Sequence, residues 1–448
     1  MLRGLALLFL AALPARAQEE PPPEPARFLI EEITVEGPKK AAANIVRAET
    51  LLREGESYTE DQLREAVYRV HRLPFVLDAS FALRKGSQRG AYELVVEVEP
   101  ARWFFYDHWI RAYRFGEPLD LESPDFRFER ERSSLSLGGI VGARLFVGRS
   151  GVLFAALDPE EGLHAGFTKY DLFGRGILVS AGTDFCCKLE VMPLGLDPTF
   201  SSLTYERSGK ASLNVAVPLG RRQSIQVAVS ERRSGTVRRD EVLISREPQP
   251  AFFFEQGVPN FRRAEAKWVL DTSDDPLLPT RGVSISAGLE ASRLEVRQRM
   301  GISSAGNFTP VPLPRLRSRL VAAALSGIRH WSLTPRQTVS VTGRVSAGRS
   351  RVESLIAGDR VLPATDLDSY GASVGLQHAV TLKRSRGAGN FTDLRLESGI
   401  ELGAEKVTPG FAPNPLERLQ VSAGLVFRNQ WGRVRLSLSY LDVGKVFG

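Results

Sequence analysis

From about Trp103 onward the chain alternates with period two. Val283, Ile285, Ala287 and Leu289 fall on one face of an extended segment, while Ser284, Ser286, Gly288 and Glu290 fall on the other. Val339, Val341 and Val345 oppose Ser340, Thr342, Arg344 and Ser346 in the same way, and the pattern returns through residues 370–380, 421–427 and 434–440. Successive side chains of a strand point to opposite faces, so each segment has one apolar and one polar side. Repeated segments of about ten such residues are the signature of a transmembrane β-barrel, with lipid outside and water inside. Helical periodicity is absent here. No uninterrupted apolar run beyond the N-terminus is longer than that of residues 320–325, far short of the roughly 20 residues of a spanning helix, so a helical membrane bundle is excluded. A soluble β-sandwich would also alternate, with shorter strands and more evenly spaced turns. Arg344, Arg395, Glu397, Glu401, Arg428 and Arg435 lie on the polar faces and suit a hydrated lumen better. The expected fold class is a small α+β domain followed by an all-β transmembrane barrel of about 14–16 antiparallel strands, an even number being usual for a closed bacterial barrel.

The N-terminus reads as a secretory signal peptide over residues 1–17: Arg3 supplies the positive charge, residues 5–13 the apolar core, and Ala15-Arg16-Ala17 the small-x-small cleavage site. A Pro-rich linker, 18–27, follows. Removal of the signal takes Arg3 and Arg16 and no acid, lowering the net charge from +7 to +5, a mild excess that does not suggest nucleic acid as a partner. The only cysteines, Cys186 and Cys187, are adjacent. That excludes a disulfide scaffold and any Cys-based zinc site.

Residues 28–100 predict a β-α-α-β-β module. Residues 28–37 form a β-branched run closed by Gly37-Pro38. Ile45, Ala48, Leu51 and Leu52 share one helical face over 41–52, with Gly55 as the stop. Thr59 and Gln62 have the spacing of a capping box, Leu63, Val67 and Val70 give the second helix its apolar stripe, and Pro74 ends it. The last two strands follow, and Tyr92, Leu94, Val96 and Val98 alternate with charged residues in the second of them. About seventy residues bury only a modest core, which suits binding better than chemistry. The preceding strand, Val76, Leu77, Asp78, Ala79, Ser80, Phe81, Ala82 and Leu83, is the candidate sheet edge on which an extended peptide could add.

Four features of this module, Ile33-x-Val35-x-Gly37, Leu51-Leu52-x-x-Gly55, Leu73-Pro74-Phe75-Val76 and Leu94-x-Val96-x-Val98-Glu99, resemble a POTRA domain, the periplasmic module that precedes outer-membrane barrels. Within the barrel, residues 170–178, with Gly174 and Gly176 in a tight turn, resemble an early turn of the outer-membrane protein assembly superfamily, the surface antigen type of barrel. Asp271, Asp274, Pro276, Pro279, Thr280, Arg281 and Gly282 form the most specific match, a turn joining two mid-barrel strands. The resemblance implies a barrel over 101–448 in the outer membrane, the POTRA-like domain in the periplasm, and client chains docking on that domain by strand addition.

Two departures accompany it. The family carries an Arg-Gly-aromatic triplet in a long loop that folds into the lumen; residues 350–370 lack the triplet, and Arg360 is at best a displaced substitute. The family also ends on a full closing strand, whereas residues 434–442 match what is normally the penultimate one. Either the barrel closes differently, or the last strand is missing from this sequence.

No G-x-S-x-G elbow, P-loop, H-E-x-x-H or C-x-x-C is present, and His71, His108, His164, His330 and His378 are scattered. The sequence therefore suggests no enzyme, no cofactor and no metal site. The aromatic run Trp103, Phe104, Phe105, Tyr106 and Trp109 suits an interfacial girdle or a domain junction. The expected function is insertion or translocation of proteins at the outer membrane. The expected partners are the lipid bilayer, unfolded or exported client polypeptides, and periplasmic or lipoprotein partners. A two-partner-type secretion pore is one alternative, and a passive porin or structural barrel that lost assembly activity is another.

Overall fold

The computed structural model describes residues 26–115, 133–158, 162–193, 200–234, 238–243, 251–256, 260–274, 279–296, 298–304, 307–312, 315–356, 360–361, 364–385, 392–408 and 416–444. The signal-peptide reading and nearly all of the Pro-rich linker, Pro276, and Phe447 lie outside the described residues.

The N-terminal domain runs β1 (Arg27–Glu36), α1 (Lys40–Glu49), β2 (Ser57–Thr59), α2 (Glu60–His71), β3 (Val76–Lys85) and β4 (Ala91–Pro100). Its sheet has the order β2-β1-β4-β3, with β1 and β4 parallel and the outer pairs antiparallel. The expected β-α-α-β-β plan gains the short strand β2. The capping box forms as its spacing predicts: Gln62 N donates to Thr59 Oγ1 at 3.3 Å, and Thr59 N donates to Gln62 Oε1 at 3.0 Å. The first helix, expected to reach residue 52, ends at Glu49 instead. Leu51 takes a left-handed conformation (φ 53°) just beyond it, while Gly55 lies in the turn before β2 and donates its N–H to Ile30 O of β1 at 2.7 Å rather than stopping the helix.

The barrel strands are β5 (Phe104–Phe115), β6 (Ser133–Val147), β7 (Gly151–Asp158), β8 (Gly162–Leu172), β9 (Ile177–Pro193), β10 (Phe200–Pro218), β11 (Gln223–Ser234), β12 (Arg238–Leu243), β13 (Ala251–Gln256), β14 (Asn260–Asp271), β15 (Gly282–Val296), β16 (Gln298–Ser304), β17 (Asn307–Pro312), β18 (Arg315–Thr334), β19 (Gln337–Ile356), β20 (Arg360–Val361), β21 (Thr365–Ser385), β22 (Thr392–Thr408), β23 (Leu416–Asn429) and β24 (Gly432–Gly444). Five of these, β12, β13, β16, β17 and β20, are short and extend the ladder at the end away from the N-terminal domain. The remaining fifteen close the barrel.

Sidedness follows the alternation. Leu289, Val321, Leu325, Leu396, Ile400 and Leu438 are exposed on the outer surface. The register of the ladders puts Arg344, Arg395, Glu397, Glu401, Arg428 and Arg435 on the opposite, luminal face.

Closure differs from the expected even count. With an odd number of up-and-down strands, the first and last run the same way, and β24 pairs with β5 in parallel from Gly432↔Tyr106 to Leu441↔Phe115. Polar side chains fasten the foot of this seam: Arg433 Nη2 donates to Asp107 Oδ2 at 2.5 Å, and Asn429 Nδ2 donates to the Tyr106 hydroxyl at 3.0 Å. A Cβ at Gly432 would lie 1.8 Å from Tyr106 O, so only glycine lets the two backbones meet there.

Candidate functional site

The N-terminal domain packs on the barrel rim, and its core is shared with it. Phe75 is buried and meets Phe146 of β6 edge-on at 5.0 Å and Tyr170 of β8 at 6.2 Å. Val152, Tyr170, Phe146 and Leu178 join the same cluster as Ile30, Ile45 and Leu63. The Tyr170–Leu178 turn, singled out by its glycines, is thus a socket. Asp171 and Phe173 are left-handed in it (φ 53° and 61°), and Gly176 (φ 66°) would place a Cβ 2.5 Å from Leu51 Cδ2.

Polar contacts extend the junction around the rim. Arg69 is buried against Glu49 at 2.5 Å and directs Nη1 to the carbonyls of Gly220 and Arg221, each at 3.4 Å. Burial pushes the Glu49 carboxyl above its ordinary range, against the opposing pull of Arg69 and Arg72, and burial also lowers Arg69. Arg72 Nη2 meets Asp271 Oδ2 at 3.0 Å, Arg222 Nε meets Glu65 Oε1 at 2.8 Å, and Arg144 donates to Pro74 O. The buried Arg69–Glu49 pair lies within the domain and aims Arg69 at the rim carbonyls, whereas the pairs that cross the junction, Arg72–Asp271 and Arg222–Glu65, are partly exposed and set its orientation more than its affinity.

The Asp271–Gly282 turn supplies one wall of the resulting site. Asp271 Oδ1 accepts from Ser273 N at 3.0 Å, while Asp274 accepts from Thr280 N at 2.8 Å, Thr280 Oγ1 at 2.5 Å and Arg281 N at 2.9 Å. Burial opposes ionisation of Asp274, but the bonds from Thr280 and Arg281 outweigh it and hold its carboxyl below the usual aspartate value. Gly282 (φ 109°) sits with an imagined Cβ 2.5 Å from Thr272 O, which explains a glycine at the point where the chain re-enters β15. Pro279 is part of the described turn.

Between α2, β3 and this turn lies a cleft of about 500 Å³, lined among others by Tyr68, His71, Ser80, Phe81, Asp274 and Thr280. β3 is the sheet's edge and, among the described residues, pairs only with β4. Its eight expected edge residues are not equivalent. Val76 and Leu77 are buried next to a bulge, and Asp78 lies 3.2 Å from His71 Nε2. His71 Nε2 also covers the edge at Ala79, 2.7 Å from its N and 2.9 Å from its O. Alternate residues of an antiparallel edge present their backbone groups outward, so Phe81 and Leu83 offer the next N–H and C=O groups, with Ser80 and Ala82 between them. The edge was legible in the sequence, but the covering of Ala79 by His71 was not, because nothing in the spacing from 71 to 79 marks a contact.

Arg360 lies in β20, paired through Ile356 at the barrel end opposite the cleft; its side chain is outside the described residues. Among the described residues no group of three or more His, Cys, Asp and Glu side chains could hold a metal.

The geometry defines a membrane β-barrel with a small α/β domain seated on one mouth. No family profile matches the chain, and no curated protein matches it. Among solved structures, the chain is similar to BamA from Haemophilus ducreyi lacking POTRA domains 1–3 (10% identity, 92% of this chain and 80% of that one, TM-score 0.40). It is also similar to the β-domain of the Bordetella autotransporter BrkA (12% identity, 60% and 86%, TM-score 0.30) and to the siderophore receptor PiuA from Acinetobacter baumannii (8% identity, 92% and 71%, TM-score 0.38). All are distant likenesses.

Proposed function

We propose that this protein acts at the outer membrane in the insertion or translocation of other polypeptides, without enzymatic chemistry and with its N-terminal domain in the periplasm. An extended client segment docks by strand addition along β3 from Phe81 to Leu83. The observation that carries this reading is the cleft: an added strand would lie between α2, β3 and the barrel's own Asp271–Gly282 turn, and so arrives already at the mouth. Main-chain hydrogen bonds supply affinity without demanding one client sequence, as a general receiver requires. Periplasmic or lipoprotein partners would share the same periplasmic face.

The test places a photo-crosslinking side chain at Ala82, on β3, and another at Leu325, on the outer barrel surface. An unfolded outer-membrane protein is then added to proteoliposomes of the full chain. Crosslinking at Ala82, with faster folding of the client than in empty liposomes, is the expected result. His71→Ala should free the Ala79 position and raise crosslinking at Ala82. Solute conductance with no client crosslink and no acceleration would refute the proposal in favour of a passive barrel.

A further inference from the structure

The outer surface carries a row of arginines that neither the lumen nor the N-terminal domain uses. The ladders set Arg262 opposite Arg293, Arg293 opposite Arg319, and Arg319 opposite Arg351, on the consecutive barrel strands β14, β15, β18 and β19. All four are on the lipid-facing side, in the same parity as the exposed Leu289 and Val321. Neighbouring strands are about 4.8 Å apart, so the four side chains rise side by side. Like charges directly opposite one another destabilise a sheet.

The ends of the row are neutralised and its centre is not. Glu231 Oε1 accepts from Arg262 at 3.1 Å and from Arg233 at 3.1 Å. At the other end Arg351 lies 3.4 Å from Glu353, and Asp366 accepts from the neighbouring Arg349 at 3.0 Å. One step further from the domain, Arg317 and Glu295 approach to 3.7 Å. Among the described residues, Arg293 and Arg319 have no ion-pair or hydrogen-bond partner.

The height of the row identifies the medium it meets. On β18 the outward positions between Arg319 and Arg329 include the exposed Val321 and Leu325, and Arg329 stacks on Trp331 at 5.0 Å. The two arginines are about 33 Å apart along the strand. At the usual tilt of roughly 40° this is about 25 Å of height, the height of the apolar band of an outer-membrane barrel. Arg329 and Trp331 mark the interface on the domain side, and the arginine row marks the opposite one. There the surface forms a shallow groove of about 730 Å³, with Leu213, Val229 and Val321 as apolar lining and Arg262, Arg293 and Arg319 along it.

We propose that this groove binds a phosphate-bearing lipid of the leaflet opposite the N-terminal domain, its phosphate bridging Arg293 and Arg319 and an acyl chain lying on Val321 and its neighbours. Guanidinium is the side chain best suited to bidentate phosphate contact. A bound dianion would turn the repulsion within the row into attraction, and the apolar lining favours a lipid over free phosphate.

The full-length protein in a nonionic detergent is incubated with diphosphoryl lipid A or its dephosphorylated form, and retained lipid is measured by native mass spectrometry. At least tenfold preferential retention of the phosphorylated form is expected, abolished in R293Q/R319Q and unaffected by the luminal R344Q. Equal retention of the two lipids by the unaltered protein overturns the proposal. So does unchanged retention by R293Q/R319Q, or displacement of the lipid by inorganic phosphate at equal concentration. The comparison of the two lipids uses only the unaltered protein and stands even if the double variant fails to fold. In that event R293K/R319K, which keeps the charge but loses the bidentate fork, should show intermediate retention.

Discussion

Replacing Phe146 and Tyr170 with leucine keeps apolar bulk at the rim but removes both aromatic partners of Phe75. The two edge-to-face contacts, at 5.0 Å and 6.2 Å, are each worth about 0.5–1.5 kcal/mol beyond the area they bury. Together they hold the domain on the rim by about 1–3 kcal/mol, roughly 5- to 150-fold in the docking equilibrium. Val152 of β7 reports that equilibrium directly, since it is buried in the cluster that the domain shares with the barrel: with Cys186 and Cys187 changed to serine, V152C reacts with a thiol reagent only when the domain lifts off. In F146L/Y170L, labelling of V152C should accelerate by that factor, while the amide of Leu325 in β18 keeps its protection against hydrogen exchange. Unchanged labelling would refute the reasoning, because the aromatic contacts would then contribute nothing to docking. Equal acceleration at Leu325 would refute it differently, by showing that the substitutions loosen the barrel itself.

Three further outcomes test other parts of the structure. The folded-state pKa of Asp274 is lowered, so its contribution is complete above the ordinary aspartate value of about 3.9 and is lost as pH falls through the lowered one. Exchange at the Arg281 amide should therefore stay slow at pH 5 and quicken only at pH values below that range. Gly176→Ala forces an alanine into φ 66° with its Cβ 2.5 Å from Leu51; it should cost about 1–3 kcal/mol and lower the midpoint of thermal unfolding measured by circular dichroism, whereas alanine at the open Gly174 should cost less. Cysteines at Leu436 and Ile110, which the parallel seam places in register, should crosslink on oxidation, and no crosslink in the folded barrel would contradict the observed closure.

Much of the architecture was legible because its causes are local. Lipid on one side and water on the other impose alternation residue by residue, so the outward Leu289 and the luminal Arg344 could be assigned from sequence. Thr59 and Gln62 are three residues apart, and their capping box follows from helix geometry alone. The odd strand count was not legible, since it depends on how β5 and β24 meet across the whole length of the barrel. Nor was the junction: Phe75 and Tyr170 each look like ordinary apolar residues, and only the fold brings them together. The arginine row is not written in the sequence either, because Arg262, Arg293, Arg319 and Arg351 are aligned by register across strands, not by spacing within any one strand. Helix α1 stops early for a related reason, because Leu51 is turned toward the barrel's Gly176.

The parallel seam has a consequence of parity. A ring of alternating directions can be complete only with an even number of members, and in a ring of fifteen the mismatch must fall somewhere. Here it falls between β24 and β5, where the slanted hydrogen bonds of a parallel pair are slightly weaker per residue than those of the antiparallel ladders. One additional strand at that place, from any source, would face an antiparallel neighbour on both sides.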